Sequence, residues 1–391
     1  MASKRATLGA AKAGRSALRP TLVLHTEASL GLGGQEIRIL TETRWLLAHG
    51  WNALIACQPE SRLLAEARAS ELPVVAVRMR GPVDPAGFLA LRRLIRRAGV
   101  DIVHTHSSVD SWLATLAARS SGRPVVRGRH VSIPILRRRA LVYRLADRVI
   151  TTGDTIKAIV EGAGVPAAKV TSVPAGVDTS RFHAHVSGQA VREELGLGST
   201  VPLIGLVANV RGSKGHEVFL GAARVVLGAL HEARFLIVGD GVGFADVDRR
   251  VRDMGLEGAV VMTGFRRDIP EVMAALDVLV LPSTRSEATS QVIPQALAVG
   301  TPVVASAIGG IPEIVRDGET GCLVPPGDAV ALAESILMLL QDPVRASALA
   351  RAGQALVHER YTVDSMMTST TAVYRELLRG QVLQSNTPRA E

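Results

Sequence analysis

Short continuous apolar runs alternate with longer stretches of helical spacing along the whole chain. The first half carries "TLVLHT", "NALIACQ", "PVVAVR", "DIVHTH", "PVVRGRH" and "RVITTG"; the second repeats the habit with "PLIGLVANV", "RFLIVGDG", "AVVMTGF", "VLVLPS" and "PVVASA". Unbroken Val/Ile/Leu runs separated by helices are the mark of parallel strands covered on both faces. The pattern therefore predicts an α/β chain of two doubly wound, Rossmann-like lobes. Between them "VPAGVDTSRFHAHVSGQAVREELGLGST" is rich in Gly, Ser, Thr and charge, which places a linker near residues 180–200. The expected division is a basic tail over 1–20, a first lobe over 21–182 and a second over 183–368, with a C-terminal helix at about 369–382 crossing back. In open parallel sheets ligands gather beyond the carboxyl ends of the strands, so the loops there hold the candidate chemistry.

A chain of 391 residues suits two domains. No apolar run reaches the roughly 20 residues of a membrane-spanning helix, and the basic N-terminal stretch lacks the apolar segment of a secretory signal. Cys57 and Cys322 stand far apart without metal-ligand spacing, so the expectation is a cytoplasmic protein with no metal site. Charge is unevenly spread: residues 1–182 hold 27 Lys and Arg against 13 Asp and Glu, and residues 183–391 hold 18 against 23. A basic first half points to an anionic partner. With aromatic residues at only 3%, stacking platforms for nucleic acid are scarce, which favours a membrane surface or a phosphorylated acceptor.

Four segments carry the candidate chemistry. In "EASLGLGGQEIRIL" a glycine turn with Gly33 and Gly34 enters a helix, whose first N–H groups favour an anion. "VANVRGSKGHEVF" sets Arg211 and Lys214 in a short loop that could hold a diphosphate, or be a solvated turn. "LIVGDGVGFAD" contains Gly239 but not a complete dinucleotide-binding fingerprint. In "PSTRSEATSQVIPQALAVG", Pro294 fixes a helix start near Ser290 to Val292, ending at Gly300. Glu287 stands just ahead of that start with Ser290 and Gln291, and Gln295 follows one turn later. A phosphate at the helix end with hydroxyl-binding side chains beside it describes a nucleotide sugar; the plainer reading is an acid complementing the helix dipole.

The ordered set "GGQE", "DIVHTH", "RGRH", "VPAGVD", "RGSKGH", "IVGDG", "TGFRRDIPEVMAALDVLVLPS", "SEATSQVIPQALAVGTPVVAS" and "GGIPEIVRDGETGCLVPPGD" resembles family 4 of the glycosyltransferases, retaining enzymes of GT-B fold, over roughly Thr21 to Tyr374. The resemblance implies that Gly33 and Gly34 approach the donor phosphate and the acceptor, and that His130 lies near the transferring sugar. It implies that Lys214 neutralises the diphosphate, Gly264 and Arg266 border the base, and Glu287 holds sugar hydroxyls. The chain departs from the family pattern in three places. Gln295 replaces the second acid of the pair, Asn209 stands where a phosphate arginine is usual, with Arg211 in a shifted position, and Ala175, Ala288 and Ser290 replace an asparagine and two glycines.

The expected activity is metal-independent, retaining transfer of a sugar from a nucleoside diphosphate to a saccharide or lipid-linked acceptor, in envelope polysaccharide or lipopolysaccharide synthesis. No cofactor is expected beyond that donor. A noncatalytic nucleotide-sugar binder and a GT-B epimerase are the alternatives. The basic helices "FLALRRLIRRAG" and "ILRRRALVYRLADR" are candidates for peripheral contact with anionic lipid through Phe88, Leu91, Ile95 and Leu136. His104 and His106 read as scaffold.

Overall fold

The computed structural model describes residues 19–385 apart from residues 137, 138 and 286. Seven strands form the first sheet: β1 (Leu22–Glu27), β2 (Asn52–Cys57), β3 (Val74–Ala76), β4 (Ile102–Thr105), β5 (Val125–Arg129), β6 (Arg148–Thr151) and β7 (Val170–Ser172), in the order β3-β2-β1-β4-β5-β6-β7. Six form the second: β8 (Leu203–Val207), β9 (Arg234–Val238), β10 (Val260–Gly264), β11 (Val278–Leu281), β12 (Val303–Ser306) and β13 (Cys322–Val324), in the order β10-β9-β8-β11-β12-β13. Every registered pair is parallel. The two-lobed, all-parallel α/β architecture read from the apolar pattern is the one observed. The edge strands β7 and β13 left no apolar run to read: β7 is Val-Thr-Ser, and β13 is three residues set between Gly321 and Pro325.

Each sheet is buried on both faces, which is why its strands lack polar alternation. On one face of the first sheet, Leu24, Val103 and Val125 pack with Leu91 and Ile95. On the opposite face, Val23, Ile102, Val126 and Ile150 meet Met366, Met367, Val373 and Tyr374 of the helix Val363–Ser385. Trp45 Nε1 donates to Asp364 Oδ1 at 2.6 Å, fastening that last helix to the helix Gly34–Ala48. A parallel bridge between Val177 and Thr362 marks where the chain crosses between lobes.

One local expectation is corrected. Leu91 and Ile95 do not face lipid: on the helix Pro85–Ala98 they are fully buried in the first-lobe core, Phe88 is half-buried against it, and the arginines take the outer face. The linker near 180–200 carries structure of its own. It contains the helix Gln189–Glu194, and Arg192 bonds the Ala275 carbonyl at 2.9 Å and Asp277 at 2.7 Å on the second lobe.

Candidate active site between the lobes

Strand order reverses between β1 and β4 in the first sheet and between β8 and β11 in the second. Loops leaving the carboxyl ends at these points diverge and open a crevice, the usual ligand site of such sheets. The two crevices face each other, because loops following the strands touch across the lobes. Gln291 Nε2 lies 3.4 Å from the Gly34 carbonyl, Thr289 Oγ1 donates to the Thr152 carbonyl at 2.5 Å, and Thr155 Oγ1 to that of Gly309 at 3.3 Å. The Glu313 carboxylate of the second lobe accepts from the Asp154 and Thr155 N–H groups at 2.8 and 2.7 Å, closing the start of the helix Asp154–Gly162 in the first.

Lys214 and Glu287 meet at the second switch point. Lys214 Nζ is 2.6 Å from Glu287 Oε2, which also accepts from Ser283 Oγ at 2.7 Å. The side chains are only 12% and 8% exposed, so each charge relies on the other for the solvation it has lost. Local backbone explains the placement. Gly215 has φ +72, and a Cβ there would lie 1.8 Å from the Pro282 carbonyl oxygen, so only glycine lets the Lys214 loop press onto the loop after β11. From the other side Gly309, at φ +59, leaves no room for a Cβ against the Glu287 carbonyl oxygen.

The helix Val292–Val299 starts at its expected place, with Gln291 as its N-cap, no side chain of the described residues bonding its first N–H groups, and Gly300 as its C-cap. Ser290 is buried beside it, while Gln291 and Gln295 are half-buried. Gly239 and Gly264 are brought together, the N–H of the first donating to the carbonyl of the second at 2.9 Å. Arg266 is held by Glu194 at 2.7 Å and by Asp268, bonds that push its already high pKa further up. Arg211 is exposed and pairs with no described residue. The N–H of Gly33, just ahead of the first helix, is taken by the Glu36 carboxylate, whose Oε2 accepts it at 2.7 Å.

His130 belongs to a buried polar group of the first lobe that the sequence reading did not assemble. β1 and β4 pair His25 with His104, and residues two apart share a face, so His25, His104, His106 and His130 gather over the sheet beneath Arg38 and Glu42. Gly128 makes the space: a Cβ there would be 2.8 Å from His130 Nε2 and 3.1 Å from His106 Nδ1. Burial pushes all four imidazoles below their ordinary pKa, so they are neutral at pH 7. At the end of β1, burial first and then the nearby Asp110 raise the Glu27 carboxyl to about 7. Neither Glu27 nor Glu313 was a candidate. Glu313 sits in the quoted "GGIPEIV", but its role appears only when the other lobe is in place.

This pairing of two switch points with a lysine, a carboxylate and an open helix end can be set beside known proteins. The family described as Glycosyltransferase Family 4 matches residues 32–181, and that described as Glycosyl transferases group 1 matches residues 201–342. The chain belongs to the group 1, family 4 glycosyltransferases. This glycosyltransferase is 32% identical over 311 residues to D-inositol 3-phosphate glycosyltransferase 1 of Catenulispora acidiphila, covering 72% of this chain and 73% of that one. It is 30% identical over 318 residues to a GDP-mannose-dependent alpha-(1-6)-phosphatidylinositol monomannoside mannosyltransferase of Mycolicibacterium smegmatis, covering 76% and 81%. Its fold matches Anabaena Alr3699/HepE in complex with UDP at a TM-score of 0.81, with 22% identity over 91% of this chain and 100% of that one. No described helix of the glycosyltransferase is long and apolar enough to cross a membrane.

Proposed function

We propose that the protein transfers a sugar from a nucleoside diphosphate donor to a hydroxyl of a saccharide or lipid-linked acceptor, with retention of anomeric configuration and without a metal ion. The observation that carries this reading is the Lys214–Glu287 pair in front of the open N-terminus of the helix Val292–Val299. Lys214 and the first N–H groups of that helix stabilise the negative charge that grows on the diphosphate as the sugar leaves, with Arg211 free to add a second cation. Glu287 accepts from sugar hydroxyls once the diphosphate draws Lys214 away, with Ser283 fixing its carboxylate. Ser290, Gln291 and Gln295 line the same helix start. Gly239, Gly264 and Arg266 border the base, and Gly33 and Gly34 face the donor across the crevice. His130 stands beside the transferring sugar.

A nucleotide donor is supported by the UDP bound in the Anabaena neighbour and by the GDP-mannose named for the Mycolicibacterium relative. That relative's phosphatidylinositol acceptor, together with the basic first half, supports a lipid-linked acceptor in cell-envelope glycan synthesis at the inner face of the membrane. The apolar residues offered for lipid contact are Ile133, Leu136 and Leu141, which are exposed beside Arg139.

The test is a panel of nucleoside diphosphate sugars, followed by mass spectrometry for donor hydrolysis and by thermal shift for binding. One donor consumed, with consumption lost in Lys214→Met, is the expected result. Binding without turnover would show the noncatalytic nucleotide-sugar protein instead, and a converted but unhydrolysed sugar an epimerase.

A further inference from the structure

His25, His106 and His130 form a continuous chain of imidazoles. His25 Nδ1 is 3.0 Å from His106 Nε2, and His106 Nδ1 is 3.0 Å from His130 Nε2. At the two ends, His25 Nε2 and His130 Nδ1 are buried without a partner among the described residues. A neutral imidazole owns one N–H and one lone pair, and each link consumes one of each. His106 must therefore donate from one nitrogen and accept on the other, so the three rings point the same way along the chain. Only two arrangements satisfy both links. In one, every proton is on Nε2 and the His25 N–H is left buried with no acceptor. In the other, every proton is on Nδ1: His25 donates to His106, His106 donates to His130, and the N–H of His130 remains unpaired.

Two features select the second arrangement. Glu42 Oε2, which has no hydrogen-bond partner among the described residues, lies 3.8 Å from His25 Nδ1, and its charge attracts a proton to that nitrogen. Each arrangement leaves one N–H and one lone pair without a partner, at opposite ends of the chain, but His25 is sealed in the core whereas His130 is half-buried at the end of β5, where a ligand can supply the missing acceptor. In the second arrangement the one unpaired N–H, on His130, is then the group offered to a ligand.

We propose that His25 and His106 are positioning residues that hold His130 with its proton on Nδ1, so that it donates a hydrogen bond to an oxygen of the bound sugar or of its leaving phosphate. The proposal rests on the reading that places His130 beside the transferring sugar. It also accounts for Gly128, since any side chain there would displace the rings that make the links. A metal ion competes for the same atoms: ligand atoms of His25, Glu42, His104 and His106 lie within 4.8 Å of one another. Arg38 already neutralises Glu42 at 2.7 Å, and His104 Nδ1 is bonded to the Tyr374 hydroxyl at 2.7 Å. A divalent ion would add uncompensated charge to a sealed site.

The experiment is long-range proton–nitrogen correlation NMR on the full chain labelled with ¹⁵N-histidine, which reads the protonated nitrogen of each ring, with His130→Gln to assign His130. The expected native result is Nδ1–H at His25, His106 and His130. In His25→Asn the side-chain amide donates from the place of Nδ1, so His130 stays Nδ1–H and kcat stays within about threefold of native. His25→Leu removes the donor; His130 becomes a tautomer mixture and kcat falls roughly tenfold or more, with little change in the donor KM. Nε2–H at His130 in the native chain, a stoichiometric transition metal in the purified protein, or a kcat unmoved in His25→Leu each overturns the proposal. The native spectrum decides the direction even where the leucine variant does not fold. Failure to find any donor would sink the functional reading and leave the tautomer result standing.

Discussion

Lys214 Nζ and Glu287 Oε2 are 2.6 Å apart, joining the loop after β8 to the loop after β11 at the point where the strand order of the second sheet reverses. Neither side chain has much water, so removing one partner strands a buried charge. Lys214→Met and Glu287→Gln should each destabilise the protein by about 3 kcal/mol, and the double variant by clearly less than their sum. Urea denaturation of the four proteins measures the coupling. Strict additivity would show that the pair is not formed in solution.

Gly215→Ala tests how tightly the lysine loop is seated. A Cβ placed 1.8 Å from the Pro282 carbonyl oxygen, at φ +72, cannot be absorbed by a rotamer change. Loss of about 2 kcal/mol or more is expected, together with weaker donor binding as Lys214 moves. An unchanged denaturation midpoint would contradict the close approach of the two loops.

Glu313→Ala removes the acceptor that the second lobe supplies to the Asp154 and Thr155 N–H groups. The local loss should be close to that of a helix cap, about 1 kcal/mol, while the balance between open and closed lobes shifts. Small-angle scattering should report a larger radius of gyration for the variant, reduced when a bound donor is added. Identical scattering curves would show that this contact does not hold the lobes together.

The buried histidines set the acid limit of stability. Burial lowers the pKa of His25, His104, His106 and His130, and that of His216 to about 4, against about 6.5 in an unfolded chain. Their contribution is fully present above pH 6.5 and is lost as pH falls towards the folded values, because the unfolded chain takes up protons that the fold refuses. Each such group contributes a slope of up to about 1.4 kcal/mol per pH unit. The urea midpoint should therefore drop steeply from pH 7 to pH 5, and a flat profile would show that these rings are hydrated.

Glu27 works in the opposite sense. Its folded value of about 7 lies above the ordinary 4.5, so the fold prefers the protonated acid. That preference is fully present below pH 4.5 and disappears as pH rises through 7. Glu27→Gln, which keeps the side chain neutral, should raise stability at pH 8 by on the order of 3 kcal/mol and leave it unchanged at pH 4.5. A variant less stable than native at pH 8 would refute the raised value.

The apolar runs made the two parallel lobes legible, because strands covered on both faces have no reason to alternate. Pro294 and Gly300 set the bounds of their helix by local rules that survive in any context. Contacts between distant segments left no comparable trace. Glu313 and the start of the helix Asp154–Gly162 meet only when both lobes exist, and the imidazole chain depends on the register that pairs His25 with His104. The basic helix Pro85–Ala98 misled for a related reason. An amphipathic helix has the same periodicity whether its apolar side meets lipid or, as here, a neighbouring sheet.

The helix Val363–Ser385 has a consequence for the birth of the molecule. Its Met366, Met367, Val373 and Tyr374 fill a face of the sheet whose strands end at residue 172. At about 5–20 residues per second on the ribosome, the first lobe waits roughly 10–40 s, while the whole second lobe is made, before its missing wall emerges. Until then Val23, Ile102, Val126 and Ile150 lack their covering. A nascent chain halted before residue 363 should thus be a preferred chaperone client, released when the final helix docks.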